Sequence, residues 1–176
     1  MSTPKRKSTK RTAAGRARPA ARTGGRVERA LEKMGLRLPA PGAPLANYVG
    51  AVVSGKLVFV SGHGPLRDGR VVYGGKLGRD LTTEQGYEAA QFVMLNCLAS
   101  LRAAIGSLDR VRRVVKLLGM VNGTPEFAEQ PQVINGASDL LVKIFGDRGR
   151  HARSAVGMGS LPLGIAVEIE MIVEIR

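Results

Sequence analysis

The 176 residues predict an α+β domain, a mixed β-sheet with two main helices on one face. Three observations carry this. The apolar patterns run in the order β-β-(β)-α-β-α-β-β. Only two of the helical patterns are long. The run 111–121 is apolar on both of its faces, as a central strand should be. The length suits one domain able to bury its own core.

The chain starts with a basic arm. Residues 1–26 hold nine lysines and arginines and no acid, so they carry +9 of the formal +13 and leave +4 for the other 150 residues. Only Ala, Ser, Thr, Pro and Gly lie between the charges, apart from Met1. Such a stretch cannot bury enough apolar surface to offset chain entropy, so a disordered arm is expected over 1–26. A secretory signal needs an apolar segment, which is missing, and an organellar presequence needs large apolar residues on one face. Non-specific binding to nucleic acid or another polyanion remains open, as does a merely solvated arm; without aromatics between the charges, any such binding would be blind to base sequence. Removing 1–26 is expected to leave assembly and catalysis intact.

Residues 27–47 form a lead-in. Val27, Leu31 and Met34 recur at helical spacing, Gly35 stops the helix, and Pro39, Pro41 and Pro44 punctuate an extended segment. The main domain is expected over 48–176. Runs 48–53 and 57–61, separated by Ser54-Gly55-Lys56, read as a hairpin, and Asp68-Gly69 marks a turn before a short strand at 70–73. Thr82 with Gln85 three residues on is a capping box. Ala90, Met94, Cys97, Leu101 and Ile105 then form one apolar stripe, closed by Gly106. In the strand 111–121, simple alternation puts Val111, Val115, Leu117 and Val121 on one face and Val114, Leu118 and Met120 on the other. Thr124-Pro125 reads as the start of a second helix, with Pro131 kinking or restarting it and Gly146 capping it after Phe145. A short strand at 153–158, a turn at Leu161-Pro162-Leu163-Gly164 and a long strand at 165–175 complete the chain. Two helices cover one sheet face, and no remaining segment can cover the other. That face implies a homo-oligomer in which sheets pack on one another.

Composition narrows the chemistry. Hydrophobic residues make up 44%, yet no apolar run approaches the ~18 residues of a membrane-spanning helix. One cysteine, Cys97, excludes an intrachain disulfide and a cysteine zinc site, and its place on the apolar stripe reads as a small core hydrophobe. With two histidines and no tryptophan, neither a metal site nor a cofactor is expected. A cytoplasmic protein fits this cysteine usage.

Two side chains stand out as candidate catalytic groups. Along 167–174, alternation puts Val167, Ile169, Met171 and Val173 on one face and Glu168, Glu170 and Glu174 on the other. A partly buried Glu168 would have its pKa raised and could serve as a general base. Arg153, in His151-Ala152-Arg153-Ser154-Ala155-Val156, offers a fork that grips a carboxylate through two parallel bonds. If 153–158 and 165–175 pair as a hairpin, Arg153 and Glu168 come to the same end of two strands and face one cleft; the same two could form a plain salt bridge. Ser61-Gly62-His63-Gly64-Pro65 is a turn whose backbone amides could approach a ligand. It matches neither a phosphate loop nor a dinucleotide fingerprint. Ser154 beside His151 lacks a third group for a triad.

Tyr48-Val49, Phe59-Val60-Ser61-Gly62, Asn135, Ala152-Arg153-Ser154-Ala155-Val156, Leu161-Pro162 and Val167-Glu168-Ile169-Glu170 occur in the order and approximate spacing of the RidA (YjgF-type) reactive-intermediate deaminases, also called L-PSP endoribonuclease-like. From about residue 45 onward the chain resembles this family. The resemblance implies a chorismate-mutase-like fold and a homotrimer with a β-barrel inside, helices outside and clefts between subunits. It also implies cofactor-free hydrolysis of 2-imino acids or their enamines, of the 2-aminoacrylate type, to 2-keto acids and ammonia. By motif, Arg153 would clamp the substrate carboxylate and Glu168 would position or activate water, with Tyr48, Gly62 and Asn135 lining the cleft. Three departures mark a divergent subgroup. Ala155 stands where the family usually has cysteine, His63 where a glutamine is common, and 27–47 and 74–81 differ. His63 and His151 both become candidates beside the cleft, for proton transfer or simply as core or surface residues. Two other functions stay open: an endoribonuclease-like or RNA-binding protein, and a trimer that binds small carboxylates without reacting with them.

Overall fold

A capping box starts the longest helix: Thr82 Oγ1 accepts from the Gln85 amide at 3.3 Å, and Gln85 Oε1 accepts from the Thr82 amide at 2.9 Å. From there α2 runs Thr83–Ile105 and stops at Gly106, whose φ of 82° few other residues adopt. The structure, a computed structural model, describes residues 25–42 and 46–176. The disordered arm expected over 1–26 therefore lies outside the described residues up to 24, as do 43–45 of the lead-in. Gly25 is the N-cap of the first helix, α1, which runs Arg26–Lys33 and so takes up the last residue of the expected arm. Asp109 pins its start, accepting from the Arg26 and Val27 amides at 2.7 and 3.1 Å. Met34, placed on that helix by spacing, falls just past its end and is exposed.

Strand β1 (Ala51–Ser54) turns through Gly55-Lys56 into β2 (Leu57–His63). A smaller hairpin joins β3 (Leu66–Arg67) to β4 (Arg70–Val71) through Asp68 and Gly69, both at positive φ, the conformation of a tight two-residue hairpin turn. β5 spans Val111–Asn122. The second main helix, α3 (Gln130–Phe145), begins later than Thr124-Pro125 suggests; Pro131 sits in its first turn, where a missing N–H costs nothing, and Gly146 caps it. β6 (Ala152–Met158) and β7 (Val167–Ile175) follow.

The five-stranded sheet has the order β1-β2-β7-β5-β6, antiparallel except for the parallel β5–β6 pair. The hairpin expected between the last two strands therefore does not form. A helix separates β5 from β6, as a parallel pair requires, and β5 lies between β6 and β7. β5 also departs from simple alternation. Register shifts between Val111 and Arg113 and between Val114 and Lys116 turn Val114 into the core and Val115 out to solvent.

Both main helices pack on one face. There Val58, Val60, Val114, Leu117, Val121, Ile169, Met171 and Val173 meet the stripe of α2 and Ile134, Ala137 and Leu141 of α3. All five predicted stripe residues of α2, Cys97 included, are buried. The other face is open: Val52, Phe59 and Val156 are 52%, 44% and 40% exposed.

Candidate functional site

Two clusters lie on opposite faces of the sheet. The first is on the open face. In β2 the partner of Val60 is Met171 but that of His63 is Ile169, so β2 carries one residue too many and bulges at Ser61-Gly62. The Glu168 carboxylate lies over Gly62 so closely that a Cβ there would collide with Oε1. Glycine is what lets the acid lean on the backbone. The half-buried Glu168 carboxyl has its pKa raised, chiefly by burial and further by the Glu170 charge. No hydrogen bond from the described residues reaches that carboxylate. The bulge is tied to the segment before β1. Ser61 Oγ donates to the Val49 carbonyl at 2.6 Å, and the Ser61 amide donates to the Gly50 carbonyl at 3.1 Å. This brings the exposed Tyr48 alongside the bulge.

The second cluster is on the helix side, at the edge strand β6. Arg153 pairs with Leu117, whose side chain is in the core, so the arginine points toward α3. Its NH1 donates to Asn135 Oδ1 at 2.8 Å and to Ser138 Oγ at 3.0 Å. Asn135 and Ser138 are three apart on α3 and so share a face, a spacing visible in the sequence although Ser138 was not singled out from it. Beyond Ser138 comes His151. Its Nδ1 lies 2.6 Å from the Gly149 carbonyl, which can only accept, so Nδ1 carries the proton; Nε2, 3.1 Å from Ser138 Oγ, accepts. The hydroxyl thus takes a bond from Arg153 and gives one to His151. Burial first, then the Arg153 charge, hold the His151 pKa down, against the pull of the Gly149 carbonyl.

Arg153 and Glu168 do not share a cleft within one chain. Glu168 stands in the cross-strand row of Met120, while Arg153 stands in the row of Leu117 and Met171. Three residues along the strands and two strand spacings put their Cα atoms on the order of 14 Å apart. Their side chains leave opposite faces. The expectation of a common hairpin cleft is overturned by the position of β5.

The remaining candidates sort clearly. His63 points beneath the sheet: Nδ1 donates to the Ser61 carbonyl at 2.6 Å, Nε2 lies 2.7 Å from Ser100 Oγ on α2, and burial lowers its pKa. It is a brace between β2 and α2, turned away from Glu168. Ser154 Oγ accepts from Lys116 Nζ at 2.8 Å on the open face. Cys97 is fully buried, and burial pushes its thiol pKa far up. Among the described residues no three His, Cys, Asp or Glu side chains converge as metal ligands would.

The sequence pattern of the family described as "YjgF/chorismate mutase-like, putative endoribonuclease" matches residues 28–175. The chain is 48% identical to Protein TCP17 of Trypanosoma cruzi over 153 residues, which is 86% of this chain and 96% of that one. The crystal structure of Atu1372 from Agrobacterium tumefaciens, a protein of unknown function, is similar with a TM-score of 0.81 and 45% identity, over 86% of this chain and 93% of that one. A RidA from an Antarctic Psychrobacter is more distant, with a TM-score of 0.53 and 29% identity, over 77% and 94%. The gap between the last two fits a divergent subgroup.

Proposed function

This chain belongs to the YjgF/chorismate mutase-like family, and from that premise we propose that it assembles as a homotrimer and hydrolyses 2-imino acids, or their enamine tautomers, to 2-keto acids and ammonia. Arg153 of one protomer and Glu168 of a neighbour would complete each cleft. One observation carries this reading: each cluster is half a site. Arg153 is held by Asn135 and Ser138 with a guanidinium edge left over, and the Glu168 carboxylate waits over Gly62 on an uncovered apolar face.

The chemistry needs no cofactor. Arg153 grips the substrate carboxylate. Glu168 takes a proton from water as the oxygen bonds to C2 of the protonated imine, whose C=N π electrons move to nitrogen. The protonated acid then returns that proton to the amine of the carbinolamine. The C–N bond breaks, ammonia leaves, and loss of the hydroxyl proton gives the keto acid. For an enamine, protonated Glu168 first delivers a proton to the terminal carbon. A carboxyl with a raised pKa suits both directions of transfer.

In the test, an amino-acid oxidase generates 2-iminopropanoate and ammonia release is followed. Wild type should accelerate it, and Arg153→Ala should lose the acceleration by 100-fold or more, on the order expected for a lost bidentate clamp, while keeping its assembly. Unchanged turnover in that variant sinks the mechanism. Thermal stabilisation by 2-keto acids without turnover would identify a carboxylate binder instead.

A further inference from the structure

Arg153 uses one of its nitrogens within its own chain. NH1 carries two hydrogens, and both are engaged, by Asn135 Oδ1 at 2.8 Å and Ser138 Oγ at 3.0 Å. The edge left over is therefore the one formed by Nε and NH2. A carboxylate that meets both nitrogens lies side-on to the guanidinium. The direction of that edge depends on Ser138. A serine inside a helix tends to turn its hydroxyl to the carbonyl four residues back. Here the hydroxyl proton goes outward instead, to His151 Nε2 at 3.1 Å, which leaves the oxygen free to accept from Arg153. The ring is fixed in turn by its other nitrogen, which donates to the Gly149 carbonyl at 2.6 Å.

Of the charges around the ring, Arg153 bears on it directly, while Arg113 of β5 and Arg150 line a recess with it. The acids of the adjoining elements are engaged elsewhere, Asp147 with Arg150 at 3.3 Å and Asp139 of α3 with Tyr87 of α2 at 3.0 Å. We propose that Ser138 and His151 are positioning residues, which hold the Nε–NH2 edge of Arg153 toward the substrate carboxylate as long as the ring is uncharged. This deepens the reading of Arg153 as the carboxylate clamp and rests on it. A protonated ring can only donate from Nε2. The Ser138 oxygen would then lie between two cations, His151 and Arg153, and NH1 would lose its fixed place. Burial and the Arg153 charge both oppose that protonation, so the arrangement holds at neutral pH and fails in acid.

The test measures the Kd of 2-oxopropanoate for the full chain by calorimetry at about pH 8 and about pH 5, on either side of the ordinary histidine value. Wild type is compared with His151→Gln, whose amide oxygen can accept from Ser138 and does not titrate. That variant keeps Glu168 and His63, which titrate too, so any difference between the two profiles belongs to the ring. At pH 8 the two should bind alike. At pH 5 wild type should bind at least about threefold more weakly than His151→Gln. A ring that acted only through its charge would attract the carboxylate and give the opposite sign. Ser138→Ala should bind about tenfold more weakly at pH 8, the scale of one hydrogen bond to a charged group, and adding His151→Gln to it should change nothing further. If wild type binds as tightly as His151→Gln at pH 5, or more tightly, the positioning role is overturned and the clamp stands. If wild type binds no 2-oxopropanoate at pH 8, the clamp itself is lost, and this inference with it.

Discussion

At the scale of single residues, Glu168 makes the sharpest statement. Its pKa is raised in the folded chain, so the native state holds that proton more tightly than the unfolded state does. Folding gains from this only at low pH. The gain is lost as pH rises from the ordinary carboxylate range through the folded pKa. Glu168→Gln should therefore raise the melting temperature at neutral pH, with the difference vanishing in acid; a variant that melts lower at pH 7 would contradict it. His151 runs the other way. Its lowered pKa means the unfolded chain binds the proton more readily, so stability should fall as pH drops below about 6.5, the unperturbed value. Much of this residue chemistry was legible in the sequence. Alternation placed Glu168, and the family motif singled out Arg153 and Asn135 without saying that the two bond to each other. Ser138, and the burial of His63 against α2, were not legible, because they depend on how a helix face meets a strand edge.

Among the elements, the position of α2 follows local chemistry, whereas the start of α3 and the strand positions do not. The capping box and the stripe of α2 are read directly from residue types three and four apart. The faces of β5 are not, since two register shifts reverse the inward side partway along, and nothing in the composition of 111–121 marks them. Strand order is likewise invisible to periodicity. That is why β6 and β7, adjacent in sequence, appear to be partners and are not. Where α3 crosses α2, Gly136 faces the Tyr87 carbonyl with no room for a Cβ. Backbone cannot yield as a side chain can, so Gly136→Ala should cost about 1–3 kcal/mol in denaturant unfolding. It should also displace the adjoining Asn135 and weaken its hold on Arg153. Gly119→Ala meets only the Ile134 side chain, at 2.6 Å, and should cost less.

For the whole molecule, the open sheet face is the feature on which the proposed assembly rests. Val52, Phe59 and Val156 lie on it together with the half-buried Leu118, Met120 and Ile172. If the proposed trimer packs on this face, light scattering should report trimers for the wild type and single chains for Phe59→Asp, which puts a charge on it. If Arg153 and Glu168 act across protomers, mixing inactive Arg153→Ala with inactive Glu168→Gln, then unfolding and refolding them together, should restore part of the turnover. Refolding each alone should restore none. The uncovered face was foreseeable from a strand apolar on both sides with too little chain left to cover it. The wide separation of the two clusters was not, because it follows from β5 lying between β6 and β7.

If the proposed turnover needs both groups, a solitary polypeptide, with its acid and its guanidinium facing away from each other across one layer of backbone, would be inert. Specific activity would then decline on dilution, and a copy lacking both groups would spoil two pockets where a copy lacking one spoils a single pocket.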